Sequence, residues 1–222
     1  MFRPVLKIVV STALIATALG CLCWQGASAA TLTLTLTDQN GEAVDDAVLY
    51  VSSVDGKHGV VTPQNTSIDQ IAKMFVPHVR AVSLGSRVSF PNSDPERHQV
   101  YSFSGAKTFE LPLYTGVPPE PVLFDKAGLV TLGCNIHDSM LGYILVLDTP
   151  WFAEVHAGKA VIKNLPAGTL AVEIWHPRMI QKQALQVNLA VTAAQDASFA
   201  QKLELRPERM VNRAPHHGTS RY

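Results

Sequence analysis

The chain has 222 residues, of which 47% are hydrophobic and 16% charged, and its 18 basic residues balance its 18 acidic residues. A neutral chain without a basic run is not expected to bind nucleic acid. The length accommodates one large domain or two small domains.

The first 30 residues have the pattern of a secretory signal peptide. Arg3 and Lys7 precede an apolar run over 9–22, and small residues fill 26–30. We expect cleavage after either of the last two alanines, which leaves an exported chain with slightly more acidic than basic residues and no segment apolar enough to span a membrane. Lipidation at Cys21 is a minor alternative, because the lipobox before it lacks the usual large aliphatic residue.

Short strand-like segments dominate the rest of the chain. Leucines alternate strictly over 31–36 and therefore share one face, and Asn40-Gly41 predicts a turn. The segment 68–75 is ambiguous, because its apolar residues also fit helical spacing. Short strands separated by turn residues predict an all-β sandwich or barrel. The predicted strands before residue 150 are 31–36, 47–51, 68–75, 81–84, 87–90, 99–103, 122–124, 129–133 and 143–147.

Three potential metal ligands follow one another at Cys-x2-His-x2-Met spacing. They are Cys134, His137 and Met140, and a thiolate, an imidazole and a thioether are the ligand types of a blue-copper electron-transfer site. Signal cleavage removes Cys21 and Cys23, so Cys134 becomes the sole thiol of an exported protein, and a metal bond would protect it. The alternative interpretation of Cys134 is a small buried core residue.

A trigonal copper site needs a second imidazole, and His98 is the candidate. It lies where a loop re-enters a strand, a position that holds a ligand more firmly than a loop tip does. A surface histidine is the alternative if His98 is considered alone. Together with the downstream trio, the sequence predicts one copper held by His98, Cys134, His137 and Met140.

Five pieces of the segment 66–148 carry a resemblance to a known family. They are Phe75-Val-Pro77, Gly85 to Asp94, His98-Gln-Val100, Phe124 to Gly128 and Cys134 to Met140. On these pieces the segment resembles a cupredoxin domain, its ligand loop is similar to that of amicyanin, and the whole arrangement resembles methylamine-utilisation proteins of the MauL type. The resemblance implies a Greek-key β-sandwich and a type 1 copper with His98, Cys134 and His137 equatorial and Met140 axial. It also implies electron carriage between redox protein partners in the bacterial periplasm.

Two positions depart from the common cupredoxin pattern. Many members have asparagine directly after the first histidine ligand, where it ties the ligand loops together, whereas this chain has Gln99. Asp138 follows His137 where an uncharged residue is common, which makes the surface beside that ligand more polar. We therefore expect a redox partner with a basic rim, or salt-sensitive docking.

A second resemblance rests on pieces that flank the cupredoxin-like region, at 31–51, 158–162, 164–168 and 169–177, with further strands at 187–191 and 199–205. The flanking segments, 31–62 and 151–206, together resemble the carboxypeptidase-regulatory, transthyretin-like β-sandwich. We predict that the cupredoxin domain, 63–150, is inserted into this sandwich, and that 207–222 form a disordered tail. The rival arrangement gives 31–62 to the cupredoxin and leaves a separate C-terminal sandwich. Pairing of the first strand with a strand after residue 158 distinguishes the two.

The sequence contains no motif of the common enzyme classes. Gly-x-Ser-x-Gly, His-Glu-x-x-His and Cys-x-x-Cys-His are all missing. We therefore expect a carrier of single electrons and not an enzyme. Two alternatives remain open. One is a copper chaperone or sensor that uses the same ligands, and the other is a structural protein whose sandwich binds a partner or glycan beside a vestigial copper site.

Overall fold

The computed structural model describes residues 30–118, 120–181, 183–191 and 196–207, and every helix or strand within them is a β-strand. The all-β prediction is therefore confirmed, and no helix of this described part is long and apolar enough to cross a membrane. Residues 1–29 of the predicted signal peptide and 208–222 of the predicted tail lie outside the described residues. The strands are β1 (Ala30–Asp38), β2 (Val48–Val54), β3 (Asn65–Ser67), β4 (Asp69–Ile71), β5 (Met74–Val76), β6 (Val79–Ser83), β7 (Ser86–Ser89), β8 (His98–Ser104), β9 (Lys107–Tyr114), β10 (Val122–Phe124), β11 (Gly128–Gly133), β12 (Leu141–Leu147), β13 (Phe152–Glu154), β14 (Lys159–Leu165), β15 (Gly168–Trp175), β16 (Leu185–Val191) and β17 (Ala197–Leu203).

The strands β1, β2 and β13 to β17 form what we call the outer sandwich. One of its sheets has the order β14–β1–β17 and the other the order β13–β2–β15–β16. Successive side chains of a strand point to opposite faces, so Leu32, Leu34 and Leu36 of β1 are all buried. They join Leu49 of β2 and Leu170 of β15 in one apolar core between the sheets.

The first strand is paired on both sides with strands from the C-terminal part of the chain. β1 runs antiparallel to β14, with Leu34 opposite Ala160, and parallel to β17, with Leu34 opposite Phe199. Both neighbours of the first strand therefore come from the part of the chain after residue 158.

The strands β3 to β12 form what we call the inner sandwich. One sheet has the order β10–β7–β3, the other has the order β6–β12–β11–β8–β9, and β4 and β5 form a separate hairpin. Apolar residues of both sheets, such as Val88, Phe124 and Ile144, share a core that also contains Cys134 and Met140. Two of the predicted ligands therefore belong to the inner core.

Three parts of the inner sandwich differ from the sequence-based prediction, and the first is β3, which the sequence does not predict. The segment 68–75 is neither one strand nor a helix, because the chain turns back between β4 and β5. Ala72 and Lys73 form that turn with φ of 52° and 60°, without the glycine or asparagine that usually indicates such a turn. β9 was not predicted, and it is an edge strand that pairs only with β8. An edge position tolerates Pro112, because one side of the strand needs no hydrogen bonds.

The two sandwiches meet at an apolar junction cluster that is centred on β12. Ile144 and Val146 point into the inner core, whereas Leu145 and Leu147 point into the junction cluster. The uninterrupted apolar sequence of β12 is explained by burial on both faces. The buried members of the junction cluster are Val48, Val79, Ala81, Leu145, Leu147 and Trp175.

A carboxylate of the outer sandwich also crosses this junction. Glu154 of β13 accepts a hydrogen bond from the backbone amide of Ala81 at 2.9 Å and lies 3.3 Å from Nη1 of Arg80, both on β6. The junction is therefore held by a polar connection as well as by apolar packing.

Candidate metal centre

Three of the four predicted ligand residues direct their ligand atoms towards one another. The Nδ1 atoms of His98 and His137 each lie 3.9 Å from Sγ of Cys134, and the three ligand atoms all lie within 4.8 Å of each other. Across the described ranges, this is the only such group of three or more histidine, cysteine, aspartate or glutamate residues.

Neighbouring strands bring these residues together from distant parts of the sequence. His98 is the first residue of β8, and Cys134 directly follows β11, the neighbour of β8 in the five-stranded sheet. Gly133 is opposite Tyr101 in this pairing. A Cβ at Gly133 would lie 2.7 Å from the Tyr101 ring, so glycine permits the tyrosine to pack against the backbone beside the thiol.

The turn between β11 and β12 carries the other two predicted ligands. The amide of Met140 donates to the carbonyl of His137 at 2.9 Å, which closes the turn. Met140 is only 1% exposed, and it packs in the same apolar cluster as Cys134, which is 3% exposed. The structure therefore places the thioether-bearing side chain in the same apolar interior as the thiol.

The two imidazoles differ in their access to solvent. The His98 side chain is fully buried, whereas the His137 side chain is 19% exposed. Their ring centroids are 5.0 Å apart. One imidazole of the site therefore reaches the surface while the other is enclosed by protein.

The observed spacing fits a single bound copper ion. A first-row metal with bonds of about 2.3 Å to sulfur and about 2.0 Å to nitrogen, roughly 120° apart, holds those two atoms about 3.7 Å from each other. Both nitrogen–sulfur distances here are 3.9 Å. A thiolate with two imidazoles in a trigonal arrangement is the donor set of blue copper, so these residues fit the metal predicted from the sequence.

Asp94 holds the buried imidazole from its far side. Its Oδ2 lies 2.8 Å from Nε2 of His98, and the carboxylate also accepts hydrogen bonds from the amides of Ala72 and Lys73 at 2.6 and 2.9 Å. Burial raises the pKa of Asp94, but these hydrogen bonds from Lys73, His98 and Ala72 outweigh it and leave the pKa below its usual range. The carboxylate is therefore ionised and only accepts, so Nε2 of His98 is the donor in this hydrogen bond and Nδ1 is the nitrogen that faces Cys134.

Glu96 lies beside the exposed imidazole in a similar way but more loosely. Its Oε2 is 3.5 Å from Nε2 of His137, and its Oε1 is 3.0 Å from the ammonium of Lys73. The hydrogen bond from Lys73 holds the pKa of Glu96 below its usual range. Glu96 is 50% exposed, so solvent screens its interaction with His137.

Asn92 braces the loop that carries both carboxylates. Its side-chain amide donates to the carbonyls of Glu96 at 2.9 Å and Tyr114 at 2.7 Å, and its Oδ1 accepts from the amide of Asp94 at 3.1 Å. Gln99 instead donates to Glu110 on the neighbouring strand. Asn92 therefore ties the loop before the first histidine to itself and to Tyr114 of β9.

The sequence alone does not identify Asp94, Glu96 or Asn92 as site residues. They lie in a segment, 91–97, that reads as an ordinary polar turn with two prolines. A carboxylate four residues before a candidate histidine ligand is the signal that could have indicated Asp94. Asp138, which the sequence does single out, is exposed beside His137.

No protein-family model matches this sequence, and a search of curated proteins finds no relative. Among solved structures, a purple cupredoxin from Nitrosopumilus maritimus is 19% identical over 36% of this chain and 98% of its own, with a TM-score of 0.33. A copper-containing nitrite reductase from Thermus scotoductus is 24% identical over 43% of this chain and 25% of its own, with a TM-score of 0.35. A reduced Cu(I) form of an amicyanin variant is 20% identical over 46% of this chain and 99% of its own, with a TM-score of 0.32.

Proposed function

We propose that this protein is a periplasmic type 1 copper protein that carries single electrons between redox protein partners. The observation that carries the proposal is the convergence of two imidazole Nδ1 atoms on Sγ of Cys134, at 3.9 Å each. His98, Cys134 and His137 would hold the metal, with Met140 as the weak axial ligand. Bound copper supplies a one-electron exchange between its two oxidation states.

The surroundings of the site suit electron transfer better than substrate chemistry. His98, Cys134 and Met140 are buried, so the protein keeps water away from the site. A full set of protein ligands leaves no open position of the kind that catalytic metal sites use. These features support a carrier and not an enzyme.

The partly exposed imidazole offers the route to a partner. His137 is the one predicted ligand that reaches solvent, and the exposed Ile136 and Asp138 are its neighbours in sequence. An acidic residue beside this ligand favours a partner with a basic rim, whose docking weakens as salt rises.

We further propose that the cupredoxin domain, 63–150, is inserted into a transthyretin-like sandwich made of 31–62 and 151–206. The pairing of β1 with β14 and β17 supports this division. We also propose that the N-terminal signal peptide exports the chain, with lipid anchoring at Cys21 as a minor alternative. The resemblance to methylamine-utilisation proteins is a further part of the proposal.

A visible absorption spectrum of the purified, copper-loaded protein tests this function. We expect an intense blue colour that Cys134→Ser abolishes and that Ser139→Ala, an exposed change in the same loop, leaves intact. A colourless complex that prefers Cu(I) would contradict the carrier and support the copper chaperone or sensor, which the soft thiolate and thioether ligands also suit. Failure to bind copper in either oxidation state would refute both.

A further inference from the structure

We propose that Asp94 and Glu96 are positioning residues for the two imidazoles of the site, and that the ammonium of Lys73 moderates the effect of Glu96 on His137. The inference rests on the proposed copper site, because the two carboxylates act on His98 and His137. Each carboxylate lies beside the Nε2 atom of its imidazole, on the side away from the metal, where it can fix the orientation of the ring and strengthen Nδ1 as a donor.

Asp94 fixes the orientation of the buried ligand. Its Oδ2 is 2.8 Å from Nε2 of His98, and the His98 side chain is fully buried, so no water competes for that proton. A carboxylate that accepts from the outer nitrogen of a ligand histidine fixes its tautomer and makes the inner nitrogen a stronger donor. Removal of such a partner commonly costs 10- to 100-fold in metal affinity.

Glu96 exerts the same influence on the exposed ligand, but more weakly. The distance between Oε2 and Nε2 of His137 is 3.5 Å, and half of the Glu96 side chain is open to solvent. Glu96 also shares its charge with the ammonium of Lys73 at 3.0 Å. Its contribution to metal affinity should therefore stay below about fivefold, the range of exposed ion pairs.

Lys73 contacts both carboxylates from a single turn. Its backbone amide donates to the same Oδ2 atom of Asp94 that faces His98, at 2.9 Å, while its ammonium lies against Glu96. The turn between β4 and β5 is thereby joined to both imidazoles, although it contains no ligand. This turn is also where Ala72 and Lys73 have positive φ, and both amides donate to Asp94.

The sign of the effects on reduction potential follows from charge. A negative charge beside a ligand imidazole stabilises Cu(II) relative to Cu(I), so neutralising Asp94 or Glu96 should raise the potential. Loss of the Lys73 ammonium should lower it, because Glu96 is then free to act on His137. The Lys73 effect should therefore largely disappear when Glu96 is already neutral.

The first experiment uses the metal-free protein and is independent of its colour. Nitrogen-15 NMR should show His98 with its proton on Nε2 in the wild type and a mixture of tautomers in Asp94→Asn. Asp69→Asn is the matched control, because Asp69 accepts hydrogen bonds from the amide and hydroxyl of Ser93, the neighbour of Asp94, and from the amide of Gln70. Equal spectra for Asp94→Asn and Asp69→Asn would overturn the role of Asp94.

The second experiment measures metal affinity by chelator competition, with copper and separately with Co²⁺. We expect a 10- to 100-fold loss for Asp94→Asn and less than about fivefold for Glu96→Gln. Glu110→Gln, which changes an exposed carboxylate on β9, should have no effect. A loss in Asp94→Asn no larger than that in Asp69→Asn would contradict the proposal.

The third experiment is a redox titration of Lys73→Gln, Glu96→Gln and the double variant. We expect opposite shifts in the single variants and a double variant that matches Glu96→Gln. Lys107→Gln, which removes a lysine paired with Asp125, should leave the potential unchanged. An undiminished Lys73 effect in the double variant would overturn the moderating role of Lys73. If the wild type is not blue, the proposed function fails, while the tautomer and Co²⁺ measurements still decide the roles of Asp94 and Glu96.

Discussion

The outer and inner sandwiches are built from the same kind of alternating strand but differ in what they bury. The buried core between the outer sheets consists of aliphatic residues and Met179, whereas the inner core includes Cys134 together with Met140. Most of the buried polar side chains also lie within 70–102. These are Gln70, Ser83, Ser86, Asn92, His98 and Ser102, and only Thr149 and His176 lie elsewhere among the described residues.

This difference suggests that the outer sandwich mainly stabilises the fold and that the inner sandwich holds the predicted metal site. Apolar burial stabilises a fold without directing any chemistry, and the outer core contributes mainly in that way. Burying polar groups costs free energy unless each is hydrogen-bonded, and most of the buried polar side chains lie in the inner sandwich, which also contains the predicted ligands. The outer sandwich should therefore tolerate loss of stability without change at the metal, and the inner sandwich should respond to the metal itself.

The largest effect should come from the outer core. Leu34→Ala removes a fully buried side chain, and we expect about 2–5 kcal/mol of lost unfolding free energy, measured by urea denaturation. The exposed neighbour Thr35 provides the control, since Thr35→Ala should change stability by about 0.5 kcal/mol or less. Copper colour should be unchanged in both variants while they remain folded, and bleaching in Leu34→Ala would show that the two sandwiches are not independent.

A smaller effect should come from copper and should fall on the inner sandwich. Free copper at about 100 times its dissociation constant adds about 2.7 kcal/mol of stability. Hydrogen exchange should show the gain in β8 and β11 and little change in β1. Cys134→Ser should abolish the gain, and an equal gain across β1 would mean that the chain responds to copper as one cooperative unit.

The smallest of the three effects should arise at the junction. Glu154→Ala removes the acceptor of the Ala81 amide and the partner of Arg80, and we expect a loss of about 1–2 kcal/mol. Asp148→Ala, an exposed change close to the same junction in sequence, should cost less. Denaturation curves compare the two, and equal stabilities would mean that apolar packing alone joins the sandwiches.

The strand pattern was largely predictable because side-chain alternation is a local signal. β1 alternates leucine with threonine, and its buried and outward positions follow that pattern. The β4–β5 hairpin was not predictable, since Ala72 and Lys73 adopt positive φ through hydrogen bonds to Asp94, a residue distant in sequence. β9 carries Pro112 and mostly exposed side chains, so only its pairing with β8 reveals it as a strand.

The site residues also differ in how far local sequence predicts them. Cys134, His137 and Met140 share one turn, so their spacing predicts them together. His98 could be inferred only from the chemistry that the trio requires, and the structure brings its Nδ1 to Cys134. Asp94 and Glu96 depend on how a loop returns over the two histidines, which no local pattern encodes.

The strand β12 runs from the ligand turn to the junction cluster, so these two parts lie at opposite ends of one strand. It leaves the ligand turn directly after Met140 and carries Leu145 and Leu147 into the junction cluster, and its length corresponds to about 20 Å at roughly 3.3 Å per residue. A protein anchored to a gold electrode through the outer sandwich should therefore present His137 to the solution. Anchoring the protein through the ligand turn should instead bury that imidazole against the gold. The side of the protein that faces the electrode, and exchanges electrons with it, would therefore differ between the two attachments.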